Sequence, residues 1–433
     1  MLQTASAQTP TADNSPYTRF GLGDLYSNNP VASLAQAGTA VTWSSPYAAN
    51  FANPAALGSL NLTAYDIGVY GRYSTYSSAN ANSAGATAGL NNFSLAFPIF
   101  NPINEIGLVK KRVWHWGMGV GISPYAGVDY NITEERTLEN IGTTKRVYSG
   151  SGGMYQLQWA NGFRYKNIQA GLSLGYLFGK TRYRRDLEFQ DLVYIASNRF
   201  EDNVLYSGAT IMPGVQYDYV IDKKKADETD DDFRRRDKLR LVAGATANII
   251  TGVTVSDTYI YARVENRVAE IVAQADNEKL AMTMPTTLTG GLRLQKDNNW
   301  SIAAQYETAN WSVYQNPLQE DQELRNAMTI RLGGEWTPNY KAFGSYWSRV
   351  SYRAGVLTAT DPRVVKDEQM TNKAVTFGVG LPVRLPRGLP SFVNIGVELG
   401  EQGTPSAIKQ SYTKLTFGVS LNDNTWFLHR KFD

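Results

Sequence analysis

From Leu62 onward the chain alternates between apolar and small or polar positions with a period of two. Tyr65, Ile67, Val69, Gly71 and Tyr73 share one face, and Ala64, Asp66, Gly68, Tyr70 and Arg72 share the other. Successive side chains of a strand point to opposite faces, so this pattern predicts a strand between an apolar phase and a wet one. The signature returns in Trp114, Trp116, Met118, Val120 and Ile122 against His115, Gly117, Gly119 and Gly121. It returns in Leu172 to Phe178, in Leu239 to Ala247, and last in Leu415, Phe417, Val419 and Leu421. Such runs place strands near 60–76, 90–100, 113–130, 153–165, 168–187, 206–221, 238–262, 282–295, 300–314, 326–337, 349–358, 373–384, 391–401 and 410–421. The expected fold is therefore all-β, an antiparallel transmembrane β-barrel of about fourteen strands, an even number that leaves both termini on one side. A soluble sandwich also alternates, but here the second face carries Gly, Ser, Thr, Asn and Arg and makes no dry core. Aromatic residues at strand ends (Tyr73, Trp114, Tyr125, Trp159, Trp300, Trp336, Phe392) suit interfacial girdles.

Composition sharpens this picture. The 433 residues include 26 Tyr, 16 Phe, 9 Trp and 38 Gly, with charged residues at 19%, below the usual quarter. No run of 18 apolar residues exists to form a transmembrane helix, whereas a spanning strand needs only alternate apolar positions. The net charge of +3 is dispersed, which argues against a nucleic-acid partner. Cysteine is absent, so disulfides and thiolate metal sites are excluded. Ala5-Ser6-Ala7 resembles a signal-peptidase site, and residues 1–7 are read as the remnant of a signal peptide that starts upstream.

Ahead of the first strand lies a different composition. Gln36 to Leu57 is rich in Gly, Ala and Ser and ends in Asn53-Pro54-Ala55-Ala56-Leu57. A small-residue surface packs closely on other backbone, and Pro54 stops a regular element from running through. Inward glycines such as Gly117, Gly119 and Gly121 likewise anticipate a crowded lumen. Gly38 through Leu57 resembles the N-terminal hatch of the FadL family, outer-membrane channels for long-chain fatty acids and other hydrophobic compounds. The resemblance implies a fourteen-stranded barrel in the outer membrane with the hatch (Gly38, Asn53, Pro54, Ala55, Ala56, Leu57) folded into its lumen. Ser44-Ser45 replace the acidic residues that often precede the family motif, and Ser15 to Leu25 resembles a divergent branch. The expected domains are a hatch over 8–58, a barrel over 59–421 and a periplasmic tail over 422–433.

With a periplasmic N-terminus, outer loops fall near 77–89, 131–152, 188–205, 263–281, 315–325, 359–372 and 402–409. The third holds Phe189, Leu192, Val193, Ile195 and Phe200. The fourth holds Val264, Val268, Ile271 and Val272 at the spacing of an amphipathic helix. By resemblance, these two loops make a greasy capture groove for a hydrophobic ligand; the alternative is that they pack on each other. On the other side, 223–237 and the segment 339–347 are long for periplasmic turns; the opposed charge blocks of 223–237 suit a solvated hairpin tip, and the rival reading is a docking loop for a periplasmic partner. The closing Trp426 to Asp433 is aromatic and basic, suited to headgroups or a partner.

Lumen carboxylates Asp66, Glu307 and Glu398 are expected to pair with Arg72, Arg164, Arg240 or Arg331 and hold the hatch. The two histidines, His115 and His429, lack a nucleophile motif, and no metal, cofactor or enzymatic activity is expected. Two functions remain open. One is uptake of a hydrophobic, fatty-acid-like molecule, with membrane lipid and lipopolysaccharide as surroundings. The other is a plugged barrel serving as a structural subunit of an outer-membrane secretion or assembly complex, a use that FadL-like barrels have in bacteria with type IX secretion.

Overall fold

In the computed structural model the described residues are 15–426, except 79–81, 102–103, 105–111, 139–141, 190–195, 224–235, 266–267, 277, 320–322, 343, 385–388, 405 and 407. Alternation does what the sequence anticipates, producing a closed antiparallel barrel of fourteen strands. The first seven staves are β2 (Thr63–Ser77), β3 (Asn82–Pro98), β4 (Trp114–Leu138), β5 (Gly142–Tyr165), β6 (Ile168–Phe189), β7 (Ala196–Val220) and β8 (Leu239–Glu265). The eighth is interrupted: β9 (Val268–Asp276), β10 (Leu280–Met282) and β11 (Thr287–Lys296) all pair with β8. Six more follow: β12 (Trp300–Ala309), β13 (Ala327–Trp336), β14 (Ser351–Val365), β15 (Glu368–Arg384), β16 (Pro390–Gly403) and β17 (Lys409–Asp423). Pairing of β17 with β2, from Lys409↔Ser77 to Asp423↔Thr63, closes the ring.

Outward residues form an apolar band. On β5 it runs through Tyr155, Leu157, Trp159, Phe163 and Tyr165, and on β17 through Leu415, Phe417 and Leu421, all exposed. Such a band about ten residues tall matches a bilayer crossed by tilted strands. Tyr73, Trp114, Trp159 and Trp336 lie on this exterior, as the girdle expectation requires. Two expected girdle residues do not. A bulge between Pro124 and Ala126 reverses the faces of β4, and Tyr125 packs into the interior. Phe392 turns inward against Tyr47, with ring centroids 6.1 Å apart.

The barrel is lopsided. Strands β4 to β8 are 22 to 27 residues long, whereas β11, β12 and β13 have 10 each. Much of the expected outer loops is therefore strand: 131–152 is largely the β4–β5 hairpin, and 359–372 the β14–β15 hairpin. The helix expected over 264–275 is corrected to the β8–β9 hairpin, with Val264 opposite Ala269. Its β-branched residues Val264, Val268, Ile271 and Val272 favour extended backbone, and no apolar surface lies beneath them to reward a helical stripe. Strand 300–314 likewise stops at Ala309 and continues as a short 3-10 turn, Trp311–Val313.

Candidate functional site in the lumen

Residues 15–60 lie inside the barrel, and the wall is built to receive them. Inward glycines on most staves sit against the backbone or small side chains of this segment. Gly68 and Gly418 meet Val31, Gly378 and Gly396 meet Ala35, and Gly333 and Gly355 meet Gln36. Gly244 and Gly291 meet Val41, Gly214 meets Asn53, Gly162 and Gly171 meet Pro54–Ala55, and Gly117 meets the Leu57 carbonyl. A Cβ at Gly117, Gly171 or Gly333 would overlap that backbone, so close approach is what these positions require.

The Asn-Pro-Ala-Ala-Leu segment forms a 3-10 turn, Pro54–Ser59, with Asn53 as its cap. Asn53 Oδ1 accepts from the Ala55 N–H at 3.1 Å, while Nδ2 donates to the Val41 carbonyl at 2.7 Å and the Val215 carbonyl of β7 at 3.3 Å. Pro54 supplies a fixed φ at the first turn and has no N–H to satisfy. Ala55, Ala56 and Leu57 are fully buried. Gly38 has φ +78, a conformation that favours glycine, and closes the turn after the helix Val31–Leu34 through its N–H to the Ser33 carbonyl.

Charged and polar groups tie the segment to the wall. Asp66 accepts the Ala49 N–H at 2.8 Å and also bonds Ser420. Arg72 pairs with Asp24 at 3.2 Å, and Asp24 also takes Arg363 at 2.9 Å. Arg363 is 2% exposed and further binds Asp361 and the Tyr17 carbonyl. Burial pushes the Asp24 carboxyl upward, but Arg363 and then Arg72 outweigh this and hold it below its ordinary value of 3.8. Arg293 donates to the Thr39 carbonyl at 2.8 Å, to Gln36 and to Ser301. Gln36 in turn bonds Glu335, which pairs with Arg353 at 2.6 Å.

The seven lumen residues named from sequence thus have different fates. Asp66 and Arg72 hold the N-terminal segment directly. Arg331 pairs with Glu307 at 2.9 Å and lies beside Gly38. Arg240 bridges Asp218 and Asp297, Arg164 stands 3.9 Å from Asp218, and Glu398 accepts from Tyr412 at 2.7 Å; these bonds run wall to wall. Asp24, Arg293, Arg353 and Arg363 escaped sequence reading, although the charge at Arg293, on the inward face of its strand between Gly291 and Gln295, was a usable signal. His115 is on the inward face of β4, opposite Arg164 in register, and His429 lies outside the described residues.

The wall has a seam. β3 pairs with β4 only over Phe93–Pro98, leaving the upper parts of both strands unpaired with each other. The N-terminal segment enters this seam. Its strand β1 (Asp24–Leu25) pairs antiparallel with Gly127 and Ala126 of β4, and the Tyr26 N–H bonds the Tyr125 carbonyl at 2.9 Å. Below it, the hollow bounded by Asn28, Pro30, Phe51, Phe93 and Ile122 holds about 10 Å³, room for about one water.

Above the N-terminal segment an apolar cluster lies among buried polar residues such as Gln156, Thr181 and Asp257. Met154, Leu177, Val204, Tyr206, Val255 and Met282 pack with Leu22 and with Trp311, Tyr314 and Leu324, which enter the mouth between β12 and β13. Thr283 and Gln315 exchange backbone bonds at 2.9 and 3.2 Å, joining the β12–β13 connection to the break between β10 and β11. The residues expected to make a capture groove lie higher. Phe200 stacks on Tyr261 at 5.0 Å beneath Arg185, and Val268, at 70%, is the most exposed of the group, followed by Ile271 and Val272. Phe189 ends β6 opposite Thr144, Val264 pairs in the β8–β9 hairpin, and Leu192, Val193 and Ile195 lie outside the described residues.

Solved structures share this architecture at low identity. The Pseudomonas putida toluene transporter TodX superposes with a TM-score of 0.55 at 18% identity, covering 94% of this chain and 100% of that one. The Ralstonia pickettii toluene transporter TbuX gives 0.55 at 12%, covering 91% and 98%. A Pseudomonas aeruginosa FadL homologue gives 0.51 at 11%, covering 92% and 98%. The FadL-type fold is thereby established. No curated protein matches the sequence. One family model, described as BamG, matches residues 1–433, the N-terminal segment and all fourteen staves included, and this chain belongs to the BamG family.

Proposed function

We propose that this protein is a plugged outer-membrane barrel that serves as a structural subunit of a protein assembly or secretion complex. One observation carries the reading: the N-terminal segment fills the lower lumen by backbone-on-glycine contact and also occupies the β3–β4 seam. A hydrophobic passenger needs several hundred Å³, against about 10 Å³ beneath that strand. Membership of the BamG family along the whole chain supports the same role. The periplasmic rim supplies docking surface. Trp347 is 66% exposed between β13 and β14, beside the exposed Tyr340 and Tyr346, and Tyr340 donates to Asp237 at 3.3 Å. Exposed aromatics of this kind anchor interfaces. Most of the charged connection 223–237 lies outside the described residues.

A second reading, uptake of a hydrophobic molecule, is favoured by the apolar cluster of the upper lumen, whose methionines adapt to different shapes. The FadL-type fold is compatible with it. Mild-detergent purification of tagged protein, with mass spectrometry of proteins and of extracted small molecules, separates the two. Stoichiometric protein partners, lost when 223–237 is shortened or Trp347 becomes Ala, support the structural role. A stoichiometric fatty acid without partners, lost when Val268 and Ile271 become Asp, overturns it in favour of uptake.

A further inference from the structure

The outer wall carries a depression of about 850 Å³ across β13 to β17 and β2. Its floor is Ile330, Leu332, Val356, Val375 and Leu399, outward residues of the apolar band. Its upper rim changes character: Thr358, Lys373, Ser411, Thr413 and Thr75 lie one or two outward positions beyond the band, toward the end opposite Thr63 and Asp423. A dent that faces a bilayer cannot stay empty, because apolar lining without neighbours forfeits its dispersion contacts. Acyl chains fill such a floor, and the rim stands where headgroups begin.

We propose that this depression seats one phosphorylated glycolipid of the outer leaflet, its acyl chain on the apolar floor and a phosphate at Lys373. Charge selects the headgroup. The nearby Glu401 carboxylate is engaged by Lys409 at 2.9 Å, so Lys373 supplies the net positive charge of the rim. The hydroxyls of Thr358, Ser411 and Thr413 add donors for phosphate and sugar oxygens. The volume of about 850 Å³ is that of a site for a drug-sized ligand, enough to seat an acyl chain and leave the rest of the lipid in the bilayer. The seat also backs onto the lumen. Tyr412, which reaches the depression from the inner side of β17, lies under the Arg72 guanidinium at 4.3 Å.

The test loads full-length protein into nanodiscs containing lipid A, phosphatidylglycerol or phosphatidylcholine, then counts lipid retained per barrel by native mass spectrometry after mild detergent transfer. One lipid A is expected to persist on the wild type and on Lys373→Arg. Lys373→Glu should lower retention more than about tenfold, since it removes one charge-assisted contact and sets a carboxylate against the phosphate. Thr358→Trp, which fills the dent without touching the charge, should lower it comparably. Heat-modifiable migration on gels verifies that each variant is folded. Equal retention by wild type and both lesions overturns the site, and equal retention of phosphatidylglycerol overturns the glycolipid assignment.

Discussion

The two halves of the lumen are filled by different means. In the lower half, main chain lies on glycine, and residues 31–57 are fixed by hydrogen bonds donated by Asn53 and Arg293 and accepted by Asp66. In the upper half, side chain lies on side chain, with Met154, Met282 and Met284 among aromatic rings. Backbone contacts have no rotamers to change, whereas methionine clusters repack at small cost. The lower half is therefore a fixed plug and the upper half a deformable filling.

Lesions of graded size test that contrast. The largest effect is expected from Gly171→Val or Gly117→Val, whose side chains run into Ala55 and Leu57 backbone. Overpacking against immobile backbone exceeds the usual cost of about 1–3 kcal/mol, and the barrel should fail to give a heat-modifiable band. Next comes Arg363→Ala, which leaves Asp24 and Asp361 without their shared cation. Breaking a buried pair costs about 3–5 kcal/mol, and trypsin should then cleave faster after Arg19, which is exposed but held over the Tyr148 ring at 4.9 Å. Met282→Ala in the upper half should cost less, about 2 kcal/mol, and admit a small apolar probe that the wild type excludes, read by fluorescence.

Acid provides a milder version of the clasp lesion. Because the folded pKa of Asp24 lies below 3.8, its stabilising contribution is complete above that value and is lost as pH falls through the lower one. Protease sensitivity at Arg19 should thus rise only below about pH 4, and Asp24→Asn should show it already at neutral pH. The smallest effect belongs to the top of the wall. Val272→Asp, on a strand exposed on both faces, should shift stability by less than about 0.5 kcal/mol in thermal melts. A larger shift there would mean that the upper filling extends to β9.

Sequence reading reached the barrel because alternation is a local property. Ile67, Val69 and Tyr73 declare their face without knowledge of their neighbours. The inward glycines were legible for the same reason. Height was not: the outward face above the bilayer is polar, as at Asn131, Thr133 and Glu135, so period two fades where β4 continues. Val264 to Val272 misled because helical spacing in β-branched residues has two readings, and only the tertiary surroundings choose between them. Charge partners depended on register and on the path of the N-terminal segment. Asp24 meets Arg363 across 339 positions of chain, a pairing that no spacing rule contains.

The glycine ring also constrains the order of events during assembly. The N-terminal segment precedes every stave in the chain, and the last contact of the wall is β17 against β2. Once that ring is shut, residues 31–57 can enter only end-on, along inward glycines that leave their backbone little clearance. If the segment is in place as the staves gather, it avoids that passage and serves as the mandrel around which the wall is wound. A chain whose first sixty residues are supplied later, as a separate peptide, should close into a wider or unfinished cylinder that cannot take them in.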